Sequence, residues 1–413
     1  MKRRVVITGT GLVTPLGCDV RQFWQDVLNG KSGVHLLSML DTSGFKIRIG
    51  GDIPDFDLGD VVDPKEAKRL DRFSQFAMFA GARAVEESGI DFEREDTLRC
   101  GSILGSGIGG LWEIEAQMER MLFKGTDRVS PFTIPKMMLN AAGGNLGIRY
   151  GLRGPNFSVA TACASATNAM GDALLSIQRG ESDVLLTGGS EAAITRMGLA
   201  GFQNMKALSS RNEDPERASR PFDSERDGFV LSEGAGIAVF EELEHAKARR
   251  AQIMAEVIGF GCSCDAGHIT QPDPQGAGAA QAMRMAIENA GLQPFDVDYI
   301  NAHGTSTPLG DKAETNAIHN VFGEHAATLS ISSTKSTIGH SLGASGGIEA
   351  IVTALSLKEG VVHPTINLTN PDPACDLDYT PNEAKQRPIK VAMSNSFGFG
   401  GHNACVVLKR FDD

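Results

Sequence analysis

No stretch of the 413-residue chain approaches the run of about 18–20 apolar residues that a membrane-spanning helix requires. Positive charge is also in deficit. Against 51 Asp and Glu stand 39 Lys and Arg, a formal charge of −12, which argues against a general nucleic-acid or anionic-membrane surface and leaves room for a local basic patch. Cysteine is sparse: seven, at 18, 100, 163, 262, 264, 375 and 405, are too few and too unevenly spaced for a disulfide framework, and their odd number points to a reducing compartment. Cys262 and Cys264 form a lone C-x-C without a second pair and read as core or loop residues. The opening MKRRVVITGTGLVTPLG lacks both a sustained apolar run and a small-residue cleavage site, so it reads as a strand and not a signal peptide, with the cytoplasm as the expected location. Gly9-x-Gly11 lacks the third glycine of a dinucleotide-binding turn. The loop CGSILGSGIGG, Cys100 to Gly110, lacks the Lys-Ser/Thr of a nucleotide-binding loop. Its glycines instead admit close backbone or substrate approach, and Ile108 is the bulky residue among them.

What is present is an α/β composition: 41% hydrophobic, 22% charged, and 48 glycines. The length exceeds the roughly 250–300 residues at which single cores stop growing. Internal echoes point the same way. AVEESGI (84–90) returns as AIENAGL (286–292), and ALLSIQRG (173–180) as ALSLKEG (354–360). Similarity at half-chain spacing indicates duplication, and Arg249 to Ala251 is the natural seam between a first half, 1–250, and a second, 251–413.

In the first half, the segment from Asp63 to Ile90 reads as helix, with Lys65, Lys68, Arg69 and Arg72 on one basic face and Phe73, Phe76, Met78, Phe79 and Ala82 on a buried one. That basic face is either a solvated surface or a dock for an acidic partner. Ser182 to Ala192 reads as a buried strand, and Ser209 to Val230 as a long polar loop.

The stretch NFSVATACASATNAMGDALLSIQRG (156–180) reads as a buried strand, Phe157 to Ala160, running into a small-residue helix from Ala164. Cys163 falls at the junction. There the helix N-terminus is expected to lower the thiol pKa and to offer N–H groups to an oxyanion. Taken singly, a small buried cysteine is more often structural. In the second half His303 follows the apolar strand Tyr299 to Ala302, before a helix from about Asp311. Lys335 and His340 lie on a loop after the strand Leu329 to Ser332, with Glu349 in the helix beyond. Ligands of open α/β sheets sit at such strand ends. Two duplicated halves facing each other bring these groups toward Cys163.

The motifs ATACASA around Cys163, NAHGTSTPLGD around His303, KSTIGHSLGASG around Lys335 and His340, and the closing NSFGFGGHN resemble the β-ketoacyl-acyl-carrier-protein synthases, most closely the type II elongation enzymes. The resemblance runs over nearly the whole chain. It implies an α/β, thiolase-like fold, two duplicated halves in a five-layered αβαβα arrangement, assembled as a homodimer. It also implies a decarboxylative condensation with the growing acyl chain held as a thioester on Cys163, His303 and His340 donating N–H groups to the enolate, and Lys335 tuning His340 in a network with Glu349. By the same resemblance, the backbone N–H groups of Cys163 and Phe399 form the oxyanion hole, with Phe399 also the gate. Thr270, Thr305 and Thr307 meet the phosphopantetheine arm. Ile108, Phe202 and, from the partner subunit, Phe132 line the acyl pocket. Lys65, Lys68, Arg69 and Lys206 dock the acidic carrier protein. Asn301, Glu349, Ser394 and Asn395 surround a structural monovalent cation in some relatives. No dissociable cofactor is implied, since the phosphopantetheine belongs to the carrier protein.

The sequence departs from the commonest pattern at ASATNA after Cys163 and at His402, which bears on chain length and not on the reaction. A polyketide ketosynthase shares the triad. A non-catalytic chain-length or acyl-binding subunit usually lacks the cysteine that this chain keeps.

Overall fold

The computed structural model describes residues 2–412. Its main strands, in chain order, are β1 (Val5–Val13), β2 (Cys100–Gly105), β3 (Asn156–Val159), β4 (Val184–Glu191), β5 (Gly234–Glu242), β6 (Ala255–Cys264), β7 (Tyr299–Asn301), β8 (Ser330–Ser332), β9 (Val391–Gly398) and β10 (His402–Lys409). Side by side they run β8-β7-β9-β10-β6-β1-β5-β4-β2-β3. Counted outward from the middle, β1-β5-β4-β2-β3 and β6-β10-β9-β7-β8 are the same permutation. Each half pairs twice antiparallel and then twice parallel. In the sheet, the stretch Val5 to Ile7, against Ala255 to Val257, joins them. The repeated order is the duplication glimpsed in the sequence.

The helices Ser165–Gln178 and Ser345–Glu359 pack on strands of both halves and lie between them. Arg72–Ser88 and Ala141–Tyr150 cover the first half outside, and Ala277–Asn289 covers the second, giving helix, sheet, helix, sheet, helix. Both central helices are rich in small residues, because each must be approached from every side. In Ser345–Glu359 every residue through Leu357 is buried.

Local chemistry explains where the structure follows expectation and where it departs. Gly9 and Gly11 stand inside β1, in agreement with the strand reading of the opening, and a Cβ on either would lie 2.1 Å from a carbonyl oxygen of Arg72–Ser88, Ala84 for the first and Ala80 for the second. They bring the helix onto the strand. The expected continuous helix from Asp63 is broken into Pro64–Ala67 and Arg72–Ser88, each capped by an aspartate, Asp63 and Asp71. Asp71 also accepts the Glu113 N–H at 2.7 Å, which fixes the break. Arg72 consequently leaves the basic face, turning inward to pair with buried Glu233 at 2.6 Å. Lys65, Lys68 and Arg69 remain exposed, while Phe79 is half-buried. β3 is an edge strand whose Asn156 and Phe157 are exposed, not a buried one. Cys262 and Cys264 lie on β6 and are exposed, on the face opposite Ser263, whose hydroxyl reaches the Gly278 carbonyl of the covering helix at 2.6 Å. Among the described residues no helix is long and apolar enough to cross a membrane.

Candidate active site

Cys163 sits in the tight turn Ala162–Ala164 that joins the end of β3 to the helix Ser165–Gln178. The turn holds Ala162 at φ +50°, a costly conformation for a residue with a Cβ. Ser165 stabilises it: its hydroxyl donates to the Ala162 carbonyl at 2.7 Å and accepts the Thr161 N–H at 2.9 Å. The sulfur is thereby presented at the head of the helix.

The second half delivers the imidazoles. His303 leaves the end of β7, its backbone N–H bound at 2.9 Å by the Glu314 carboxylate, which also takes the Gly304 N–H at 2.8 Å. The helix carrying Glu314 begins at Pro308, slightly before the expected start. His340 follows the short helix Lys335–Ile338. Its Nε2 lies 3.0 Å from the Cys163 sulfur, and its Nδ1 lies 3.0 Å from the Ser345 hydroxyl. One ligating atom from each of Cys163, His303 and His340 falls within 4.8 Å of the others. The two imidazoles meet edge to face, with centroids 5.4 Å apart. Lys335, fully buried, donates its ammonium to Glu349.

Burial dominates the electrostatics. It pushes the Cys163 thiol up to about 11, against the opposing pull of Lys335 and of the backbone N–H groups of Phe399 and Cys163 itself. The lowered thiol pKa expected from the helix terminus is therefore reversed, because the loss of solvent outweighs the dipole. The same loss, aided by Lys335, holds both His303 and His340 well below the ordinary histidine value. Glu349 is pushed up to about 7 by burial, with Lys335 restraining it. At neutral pH the site holds an uncharged thiol between two uncharged imidazoles.

A cavity of about 590 Å³ opens onto this cluster. Cys163, His303, His340 and Phe399 line it. Ile108, Phe202, Thr270, Thr305, Thr307 and Lys206 line the same space. The Thr305 and Thr307 hydroxyls are hydrogen-bonded to each other at 2.9 Å. Phe399 stands in the hairpin between β9 and β10, beside Gly400 and Gly401 at φ +84° and +74°. Phe132 does not reach the cavity of its own chain; it is exposed, with the Arg69 guanidinium 5.1 Å from its ring centre. Lys65 and Lys68, on the broken helix, also lie outside it.

The four residues named for a cation do not all converge. Asn301, Glu349, Ser394 and Asn395 are all buried, and Glu349 Oε2, Ser394 Oγ and Asn395 Oδ1 have no hydrogen-bond partner. Alternation along β9 sends the Asn395 amide the opposite way from Ser394, to Glu314 at 3.2 Å. Asn301 reaches the Glu349 carbonyl and Thr334. Glu349, Ser394 and Asn395 each keep a buried oxygen to spare of the kind a hard cation takes, the Asn395 oxygen on the opposite face of β9 from Ser394.

Sequence reasoning passed over Ser345, Glu314 and Glu191. The last is a fully buried acid closing an otherwise uncharged, buried strand, and that incongruity was the available signal.

Comparison with known proteins agrees over both halves. The β-ketoacyl synthase N-terminal domain family matches residues 2–246 and the β-ketoacyl synthase C-terminal domain family residues 254–369. A Staphylococcus aureus 3-oxoacyl-[acyl-carrier-protein] synthase 2 is 49% identical over 410 residues, covering 99% of each chain. Its namesake from Synechocystis is 48% identical over the same length and coverage. A solved β-ketoacyl synthase from Burkholderia phymatum superposes with a TM-score of 0.92 at 36% identity, covering both chains entirely. A ketosynthase of a type II polyketide system, solved in complex with its acyl-carrier protein, gives 0.93 at 35% identity, again over both whole chains. Matched in both halves and along its full length, the chain belongs to the β-ketoacyl synthase family of condensing enzymes.

Proposed function

We propose that this enzyme is a 3-oxoacyl-[acyl-carrier-protein] synthase of fatty acid elongation, joining malonyl-carrier protein to an acyl chain carried on Cys163. The observation that carries the reading is the 3.0 Å contact between the Cys163 sulfur and His340 Nε2, both lining the cavity. In the first transfer the sulfur attacks the acyl thioester, the carrier thiol departs with a proton, and the acyl group remains on Cys163. In the second, malonyl-carrier protein loses CO₂, and the enolate oxygen is met by N–H groups of His303 and His340. The enolate carbon then attacks the acyl carbonyl, whose oxygen rests on the N–H groups of Cys163 and Phe399. Collapse releases the Cys163 sulfur, which regains its proton. Uncharged imidazoles suit both halves of the cycle, since each offers one N–H and one lone pair. The Ser345 hydroxyl at His340 Nδ1 can donate or accept, so it supports either tautomer.

Several partners and roles belong to the same proposal. The Thr305–Thr307 pair and Thr270 meet the phosphopantetheine arm, Ile108 and Phe202 face the acyl chain, and Lys65, Lys68, Arg69 and Lys206 receive the acidic carrier protein. The enzyme works as a homodimer, for which the support is apolar: β3 ends the sheet with a free edge, and Phe132, Ile134, Met138 and Phe157 are all exposed on or just before it. Phe132 then enters the partner's acyl pocket. A monovalent cation among Asn301, Glu349, Ser394 and Asn395 would screen the buried carboxylate of Glu349. The cytoplasm is the compartment that the seven free thiols favour.

A polyketide role has the structural likeness at 35% identity in its favour, but the elongation relatives stand at 49%. Incubation with acyl-carrier thioester, followed by intact-mass measurement, is expected to show one acyl group on Cys163. An unmodified chain overturns the reading in favour of an acyl-binding subunit. Cys163→Ala is expected to abolish condensation while sparing malonyl decarboxylation, whereas His303→Ala lowers decarboxylation by about 10²–10³-fold, the usual cost of one lost oxyanion donor.

A further inference from the structure

The duplicated fold contains a second copy of the nucleophile turn. In the first half Ala162, Cys163, Ala164 and Ser165 lead into a central helix; in the second Leu342, Gly343, Ala344 and Ser345 do the same. Leu342 repeats the strained φ of Ala162, +46° against +50°. Gly343 thus stands where the first half has Cys163.

The sheet register extends the correspondence. Val184 of β4 pairs with Glu241 and Glu191 with Gly234; in the second half Val391 of β9 pairs with Lys409 and Gly398 with His402. Glu191 and Gly398 are therefore equivalent. A Cβ on Gly398 would lie 2.9 Å from the Cys163 N–H nitrogen, so at the working site a glycine keeps that donor free. At the other site a carboxylate occupies the matching place, and Glu191 accepts the Gly343 N–H at 3.1 Å.

Glu191 is fully buried and gathers donors from both halves. It accepts the Ser106 hydroxyl at 2.9 Å and the N–H groups of Gly107, Ile108 and Gly109 at 2.6, 3.2 and 3.3 Å, in addition to Gly343. A Cβ at Gly107 or Gly343 would sit 2.9 or 2.7 Å from Glu191 Oε2, so neither position can carry a side chain without displacing it. Its oxygens lock two segments of the active site together. One is the loop that aims Ile108 into the cavity. The other is the turn between His340 and Ser345.

We infer that Glu191 is a positioning residue. Its carboxylate fills the disused oxyanion site of the second half and, through that anchor, fixes both the acyl-pocket loop at Ile108 and the His340–Ser345 segment that faces Cys163. The inference rests on the condensing activity proposed above. Burial pushes the Glu191 carboxyl up while Gly107, Ser106, Ile108 and Gly343 draw it down; the carboxylate is the form that accepts from all five donors at once, whereas an amide turns its NH₂ toward an N–H. The charge is also felt at the sulfur, where Glu191 opposes ionisation of Cys163.

The test compares Glu191→Gln, Glu191→Asp and Ser106→Ala with the parent enzyme. Glu191→Gln is expected to lower kcat by roughly 10²-fold with little change in KM for malonyl-carrier protein, as a displaced catalytic segment does. It should also flatten the preference among acyl-carrier substrates of different length and move the pH profile of Cys163 alkylation by iodoacetamide to lower pH. Glu191→Asp keeps the charge and restores the alkylation profile. Ser106→Ala removes one donor without touching charge, so it relaxes chain-length preference and leaves the alkylation profile alone; it also decides the matter if Glu191→Gln does not fold. An unaltered chain-length preference in Ser106→Ala, or in a folded Glu191→Gln, overturns the inference. Alkylation reads the site without turnover, so a parent enzyme that fails to condense would refute the proposed activity while the alkylation profiles of Glu191→Gln and Glu191→Asp still decide the inference, an unshifted profile in Glu191→Gln overturning it.

Discussion

The reactive thiol is set by its surroundings, and those surroundings oppose the simplest expectation for a cysteine at a helix start. Desolvation raises it to about 11, while Lys335 draws it down. Below that value the thiolate fraction grows about tenfold per pH unit, so alkylation of Cys163 is expected to keep rising through pH 9 and 10 instead of levelling near the free-cysteine value of about 8.5. Lys335→Met removes the favourable charge and displaces the profile further upward. A plateau near pH 8 would show that the helix terminus and the two N–H groups outweigh burial. The sequence placed Cys163, His303, His340 and Lys335 by motif and strand end. It gave no measure of solvent loss, because that depends on chain segments more than a hundred residues away.

Elements rest on close approach where the sequence offers glycine. Gly9 and Gly11 lie within β1, in the opening that reads as a strand, and only a residue without Cβ there lets Arg72–Ser88 settle on it. Gly11→Ala forces a carbonyl and a methyl into the same space, and is expected to destabilise the protein by about 1–3 kcal/mol, measured by denaturant unfolding. Gly44, with nothing within 4 Å, is the control. The broken helix after Asp63 carries the converse lesson. Periodicity made the segment continuous, but Asp71 caps a new helix and binds Glu113, a partner invisible to local pattern. Three basic side chains consequently stay outside while Arg72 neutralises Glu233 in the interior.

At the scale of the whole molecule, a chain of net charge −12 presents Lys65, Lys68, Arg69 and Lys206 to solvent. Lys206→Glu, with its side chain on the cavity, is expected to raise KM for acyl-carrier protein severalfold while sparing kcat with a free pantetheine thioester. Added salt should weaken carrier binding in the parent enzyme and less in the variant. Sedimentation should show a dimer, and Phe157→Lys, on the open edge of the sheet, should shift it toward monomer.

By itself the sequence determined the α/β class, the duplication, and the residues that meet at the candidate site, because these are written in composition, in repeated segments and in short motifs at strand ends. The tertiary structure alone decided which way Arg72 and Asn395 turn, that Cys163 rests as a thiol, and that Glu191 ties Gly107 to Gly343. Side-chain direction, dielectric and long-range hydrogen bonds are properties of packed neighbours, and no local stretch of chain contains them.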